Sequence, residues 1–272
     1  MDKFYIKYAD AGDLLRSQVP LKPTKLFDDL AIIGGQGTAM FVLETKAGLV
    51  LFDAILPEDA FEKIFEDGMR ELGYDPHDVC ALYVSHGHFD HYGQVNNIVE
   101  KYHVPFYMSK IDYEFGLADA DKRNRPDYRM RVKPTFVDTD EVHTYGDAQI
   151  QIVQTPGHTP GGISFIIPVH DDGRLCHAAL WGGTSLPDEP EMKYVYRNSL
   201  EHFKTFTDKW ECDAELCAHT FMDNTRERIE YQRNRLYGMP NPFAIGREAY
   251  LRYADMLMEM AADAVKALES SK

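Results

Sequence analysis

Apolar residues in the first third of the chain come in short continuous runs, at residues 30–33, 39–43 and 48–52, each bounded by glycine or charged residues. Runs of that length with those boundaries predict strands. Over residues 57–72 the spacing changes, and Phe61, Ile64, Phe65 and Met69 fall on one face of a helix. The run 79–84 predicts a buried strand leading straight into Ser85-His86-Gly87-His88-Phe89-Asp90-His91, with a helix from about residue 93 to 102 and a strand at 104–108 beyond it. Residues 118–131, rich in Asp and Arg, show no period and read as irregular. Residues 148–154 alternate apolar and polar side chains like a half-buried strand, and end in Thr155-Pro156-Gly157-His158-Thr159-Pro160-Gly161-Gly162. Strands at 163–169 and 175–180 flank Asp171-Asp172-Gly173, a hairpin signal. A helix near 199–209, a strand 214–218 ending at His219, a helix 224–236 and an amphipathic helix 247–268 complete the chain. Strands, then helices, then the same order again predict an α/β sandwich of two similar halves, sheets inside and helices outside. There is no repeat and no linker rich in Gly, Ser or Pro, so residues 1–272 read as one domain.

Composition narrows the function classes. The 29 Lys and Arg stand against 44 Asp and Glu, a formal charge of −15. That surface repels a phosphate backbone, and no basic stripe overrides it, so nucleic acid is not an expected partner. No run approaches the roughly 18 apolar residues of a membrane helix. The first residues lack the apolar core and cleavage pattern of a signal peptide, which predicts a cytoplasmic protein; a signal already removed would read the same way. Cys80, Cys176, Cys212 and Cys217 lack the spacing of a zinc ribbon or a disulfide framework and read as free thiols.

The chemistry concentrates in histidine. His86, His88, Asp90 and His91 place four good zinc donors within six residues at a strand-to-helix junction. In an extended loop, residues two apart point the same way, so His86 and His88 can grip one ion. Asp90 and His91, at the turn into the helix, can reach a second. A lone histidine is more often structural, but His158 in its Pro-Gly turn and His219 at a strand end supply the third ligand each ion needs. His77, His103, His143, His170, His177 and His202 have no such company.

The run His86-x-His88-x-Asp90-His91, then Gly157-His158, then His219, resembles the signature of the metallo-β-lactamase superfamily. Asp53, at the end of Leu51-Phe52-Asp53-Ala54, resembles an aspartate that supports the site from behind a ligand. Residues 212–219 and the later Asn241-Pro242-Phe243 are similar to the third subclass of class B β-lactamases. The similarity runs from about residue 27 to the final helix. It implies an αβ/βα four-layer sandwich and two zinc ions per chain. One departure is informative. Relatives such as the lactonases and glyoxalase II carry a bridging aspartate after the hairpin, where this chain has Trp181-Gly182-Gly183-Thr184-Ser185 and the nearest acid is Asp188. Thr184 stands in that place, and a neutral hydroxyl is a poor zinc ligand. The resemblance therefore implies the third-subclass arrangement, with His86, His88 and His158 on one ion and Asp90, His91 and His219 on the other.

The implied chemistry is metal-assisted hydrolysis. Zinc lowers the pKa of a water toward about 7, and the hydroxide attacks a carbonyl of a small anionic substrate, a β-lactam foremost. Asp90 would orient the nucleophile, and Thr184 and Ser185 would donate to a substrate carboxylate or else form a simple turn. Arg123, Arg125, Tyr128 and Arg129 either cover the site and attract anions or belong to a solvated loop. The rival readings are a cytoplasmic lactone or thioester hydrolase of the same superfamily, an iron redox enzyme, and a non-catalytic metal-binding protein. Flavodiiron sites favour a carboxylate where His88 stands, and persulfide dioxygenases resemble the group with the later aspartate. A metal assay with an absorbance spectrum separates the redox reading from hydrolysis.

Overall fold

The computed structural model describes residues 19–35, 37–57 and 61–270. The N-terminal segment read for a signal peptide, and residues 58–60 of the helix expected over 57–72, lie outside that range. Two sheets face each other. One has seven strands in chain order: β1 (Thr24–Lys25), β2 (Leu30–Gly34), β3 (Ala39–Thr45), β4 (Gly48–Phe52), β5 (Val79–Tyr83), β6 (Phe106–Met108) and β7 (Thr135–Phe136). Its pairs are antiparallel from β1 to β4 and parallel from β4 to β7. The other runs β12 (Ala214–Leu216), β11 (Arg174–Leu180), β10 (Ile163–Asp171), β9 (Ala148–Gln154) and β8 (Glu141–Tyr145), antiparallel except for β11 with β12.

Both faces of each sheet are covered, which explains the continuous apolar runs. Phe41 and Leu43 of β3 meet Ile150 and Ile152 of β9 between the sheets, while Met40 and Val42 point outward. The outward face packs on α1 (Asp67–Leu72), which continues a π-helical turn Phe61–Glu66, and on α3 (Val95–Tyr102), which follows the single turn α2 (Phe89–Tyr92). Beyond the second sheet, Ile166 and Ala179 meet α5 (Pro190–Lys209) and α7 (Arg247–Ser270). Helix, sheet, sheet, helix is the four-layer order. The hairpin falls where its residues predict, with Asp171 paired to Arg174. Asp172 and Gly173 take φ of 49° and 77°, positive at both central positions as a type I′ turn requires.

Four expectations need correction. The stretch 118–131 is not wholly irregular: its start belongs to α4 (Lys110–Lys122). That helix has no apolar stripe, because its buried positions are Asp112, Gly116 and Ala120, while Ile111 is exposed. The helix expected at 199–209 begins at Pro190, whose fixed φ suits a first helical position. The strand expected at 214–218 pairs only through Leu216, and α6 spans Thr225–Arg233 rather than 224–236. Strand β8 escaped the sequence reading because it is an edge strand with no fully buried residue. All four cysteines are free. Among the described residues no helix is long and apolar enough to cross a membrane.

Candidate metal centre

The strand ends bring the signature together. Strand β5 feeds His86, His88, Asp90 and His91 into the junction with α2, the loop after β9 carries His158, and the chain after β12 carries His219. Donor atoms of His86, His88 and His158 lie within 4.8 Å of one another, as do those of Asp90, His91 and His219. The ring of His86 sits 4.9 Å from His88, 4.7 Å from His158 and 3.9 Å from His91, which joins the two groups.

Four of the five imidazoles, those of His86, His91, His158 and His219, are turned by a bond at Nδ1. Asp53 is buried at the end of β4 with φ of 64°, a left-handed conformation costly for a residue with a Cβ. That turn aims its carboxylate at the site. Oδ1 accepts from the Ser85 N–H at 2.8 Å, and Oδ2 lies 2.7 Å from His91 Nδ1. Ser85 Oγ bridges Asp53 Oδ2 at 3.1 Å to His86 Nδ1 at 3.0 Å. His158 Nδ1 meets the Ser185 carbonyl at 2.8 Å, and His219 Nδ1 the Gly37 carbonyl at 3.4 Å. Holding Nδ1 this way leaves Nε2 for an ion and sets the ring's direction.

The electrostatics agree. Burial, then the neighbouring histidines, drive the His86 pKa well below its ordinary value. Burial brings His88, His158 and His219 down to about 4, so these rings are neutral at pH 7 with lone pairs available. Burial would raise Asp90, but His91, His219 and His88 hold its carboxyl at about 2. Burial likewise opposes a charge on His91, and Asp90 and Asp53 overcome it and raise its pKa. His86 Nε2 is buried without a hydrogen-bond partner. An imidazole nitrogen stranded like that costs free energy unless something coordinates it. Three-histidine and histidine–carboxylate sets suit a divalent ion, so the residues fit a metal centre.

Several contributors had no sequence signal. Thr38 Oγ1 donates to Asp90 Oδ2 at 3.2 Å. Asp112 accepts from the N–H groups of Gly87 and Gly161 and from the Thr159 hydroxyl. Gly183 lies against His158 so closely that a side chain there would overlap the imidazole. Thr184 and Ser185 stand half-buried beside His158, with Thr184 Oγ1 3.5 Å from Cys217 Sγ. The arginines expected to attract anions are tied down: Arg123 to Asp119 at 2.6 Å, Arg125 to Asp127 at 2.6 Å and Arg129 to Asp121 at 2.6 Å. Tyr128 nevertheless stacks on Phe89, between two of the signature residues, with ring centroids 4.6 Å apart. Of the histidines set aside, His170 pairs with Asp29, His202 with Asp140 and His143 with Tyr83.

Residues 33–175 match the family model of the metallo-beta-lactamase superfamily. The chain belongs to that superfamily. It is 25% identical over 154 residues to an N-acyl homoserine lactonase of a Bacillus species, covering 49% of this chain and 59% of that protein. It is 31% identical over 145 residues to the probable metallo-hydrolase YflN of Bacillus subtilis, covering 46% and 52%. The chain thus spans about half the length of the curated relatives it matches. Among solved structures, BJP-1, a subclass B3 metallo-β-lactamase of Bradyrhizobium japonicum, aligns at a TM-score of 0.74 and 23% identity, covering 92% of this chain and 97% of that one. The FEZ-1 metallo-β-lactamase of Legionella gormanii aligns at 0.73 and 21%, covering 93% and 97%. Those two likenesses establish the fold.

Proposed function

We propose that this chain is a hydrolase with two zinc ions, one held by His86, His88 and His158, the other by Asp90, His91 and His219. The observation that carries the reading is the pair of three-donor groups, with His86 Nε2 buried and unpartnered at their junction. Bound there, the ions would supply an acidified water and a Lewis acid for a carbonyl. The chain's own residues do the rest. Asp90, held ionised by its histidines and bonded by Thr38 Oγ1, would orient the nucleophile. Asp53 keeps the His91 ring fixed by its bond to Nδ1. Thr184 and Ser185 offer hydroxyls beside His158 to a substrate carboxylate.

The substrate proposed is a small carbonyl compound bearing an anionic group, a cyclic amide of β-lactam type. A second reading, an ester of lactone type, is favoured by two observations. The nearby arginines are already paired with aspartates, and apolar residues flank the histidines: the Phe115 ring lies 5.8 Å from His88 and the Phe221 ring 5.7 Å from His219. The zinc-loaded protein should therefore be assayed for kcat/KM on a cephalosporin and on an N-acyl lactone. Lactone turnover faster by several orders of magnitude would replace the amide reading. For either substrate kcat/KM should rise with an apparent pKa of about 6–7. Zinc titration should give two ions per chain, and His91→Ala should lose mainly one. Saturation at a single ion, unchanged in His91→Ala, would overturn the ligand assignment.

A further inference from the structure

We propose that Asp112 is a positioning residue that locks the loop between His86 and His88 to the loop carrying His158, and so sets the geometry of the three-histidine group. The inference rests on reading those histidines as ligands of one ion. Asp112 sits in the first turn of α4 and is 0% exposed. Its carboxylate has three donors from two distant loops. Oδ2 accepts from the Gly87 N–H at 2.8 Å and from Thr159 Oγ1 at 2.5 Å, and Oδ1 accepts from the Gly161 N–H at 2.6 Å. Gly87 lies between His86 and His88, Thr159 directly follows His158, and Gly161 closes the same turn.

The helix start holds the second loop twice. Ser109, the N-cap of α4, donates from Oγ to the Gly161 carbonyl at 2.5 Å and accepts from the Asp112 N–H at 3.1 Å. Both backbone groups of Gly161 are therefore bound to one helical turn. The approach is close enough to require glycine on each side. A Cβ on Gly87 would come within 2.5 Å of the Asp112 carbonyl oxygen, and one on Gly161 within 2.6 Å of Ser109 Oγ. A fully buried carboxylate whose oxygens are both engaged by protein donors does not reach a substrate. Its work is to hold His88 and His158, whose ring centroids lie 4.7 Å apart.

Asparagine cannot replace it. An amide has one acceptor oxygen where the carboxylate has two, so at least one of the three donors is left facing an NH2 group. The test is competition titration with a chromophoric zinc chelator on the wild type, Asp112→Asn, Thr159→Ala and His158→Ala, together with d–d spectra of the cobalt-substituted proteins. Partners that orient metal ligands typically contribute 10–100-fold in affinity. Asp112→Asn should weaken one of the two ions by about that factor, leave the other nearly unchanged and alter the cobalt spectrum. Thr159→Ala, which removes one donor and keeps the carboxylate, should shift the same ion by less, and it carries the test if Asp112→Asn does not fold. A purely structural role would lower the melting temperature of the metal-free protein while leaving zinc affinity and the cobalt spectrum as in the wild type, and that result overturns the proposal. Unchanged zinc binding in His158→Ala would instead remove the ligand assignment beneath it.

Discussion

Four imidazoles packed without charge make this site sensitive to acid. Burial holds His88, His158 and His219 at about 4 and drives His86 well below its ordinary value of 6.5. Between pH 6.5 and about 4 the unfolded chain takes up protons on these rings that the native state refuses, so acid favours unfolding. Asp112 acts in the opposite direction, since burial pushes its carboxyl up to about 6 and the native state binds that proton first. So do His91, Glu215 and Asp223, whose pKa values are likewise raised in the fold. Replacing one ring isolates the histidine effect: metal-free wild type should lose more melting temperature from pH 7 to pH 4 than His88→Ala, measured by calorimetry in the presence of a chelator. Equal losses in the two would mean that the His88 ring is charged as folded. The same protonation should weaken zinc binding, because a ligand must shed its proton to coordinate.

The segment that carries His219 is held by a side chain outside the site. Arg228 of α6 donates from Nη1 to Glu215 Oε2 at 2.7 Å and to Asp223 Oδ2 at 2.5 Å, and from Nη2 to the Glu215 carbonyl at 3.0 Å. Glu215 and Asp223 stand on either side of His219 in sequence, so one guanidinium closes the stretch into a loop. The Phe243 ring lies 4.2 Å from the guanidinium carbon. Arg228→Met would strand two carboxylates that are 5% and 6% exposed, a loss of about 3–5 kcal/mol in urea unfolding. Burial already pushes both carboxyl pKa values up, so the loss should shrink as pH falls and they neutralise. Arg252→Met breaks an exposed pair with Glu248 and should change stability by less than about 0.5 kcal/mol. Equal losses in the two variants would show that the buried clamp contributes nothing special.

Each three-donor group draws on both halves of the sandwich. His86, His88, Asp90 and His91 follow the seven-stranded sheet, whereas His158 and His219 follow strands of the five-stranded one. Backbone bonds already tie the halves there, from the Ile163 N–H to the Ser85 carbonyl and from the Ala39 N–H to the Ala218 carbonyl, each at 2.8 Å. A ligand that binds only the folded chain stabilises it by about 2.7 kcal/mol at 100 times its Kd. At roughly 2–4 °C per kcal/mol for a chain of this size, zinc should raise the melting temperature by about 5–10 °C over chelated protein. His158→Ala and His219→Ala should each lose a large part of that gain. A zinc-independent melting temperature in the wild type would count against ions bridging the two halves.

The signature residues were legible because their chemistry and their spacing coincide: His86, His88, Asp90 and His91 share one short loop, His158 sits in a Pro-Gly turn just past a strand, and His219 follows an apolar one. The sheets were legible for a related reason. A strand buried on both faces must be apolar throughout, and that shows in any single stretch of sequence. Helix α4 and its Asp112 left no such mark. Its buried face is an acid, a glycine and an alanine, and an acid in a first helical turn ordinarily faces water. Only when the chain returns from residues 87, 159 and 161 does that carboxylate acquire donors. The pairing of each arginine in 123–129 with a neighbouring aspartate was likewise out of reach, since composition counts charges but not their partners. Local sequence carries what neighbours along the chain require of one another; contacts between residues 25 to 182 positions apart exist only once the two sheets have closed.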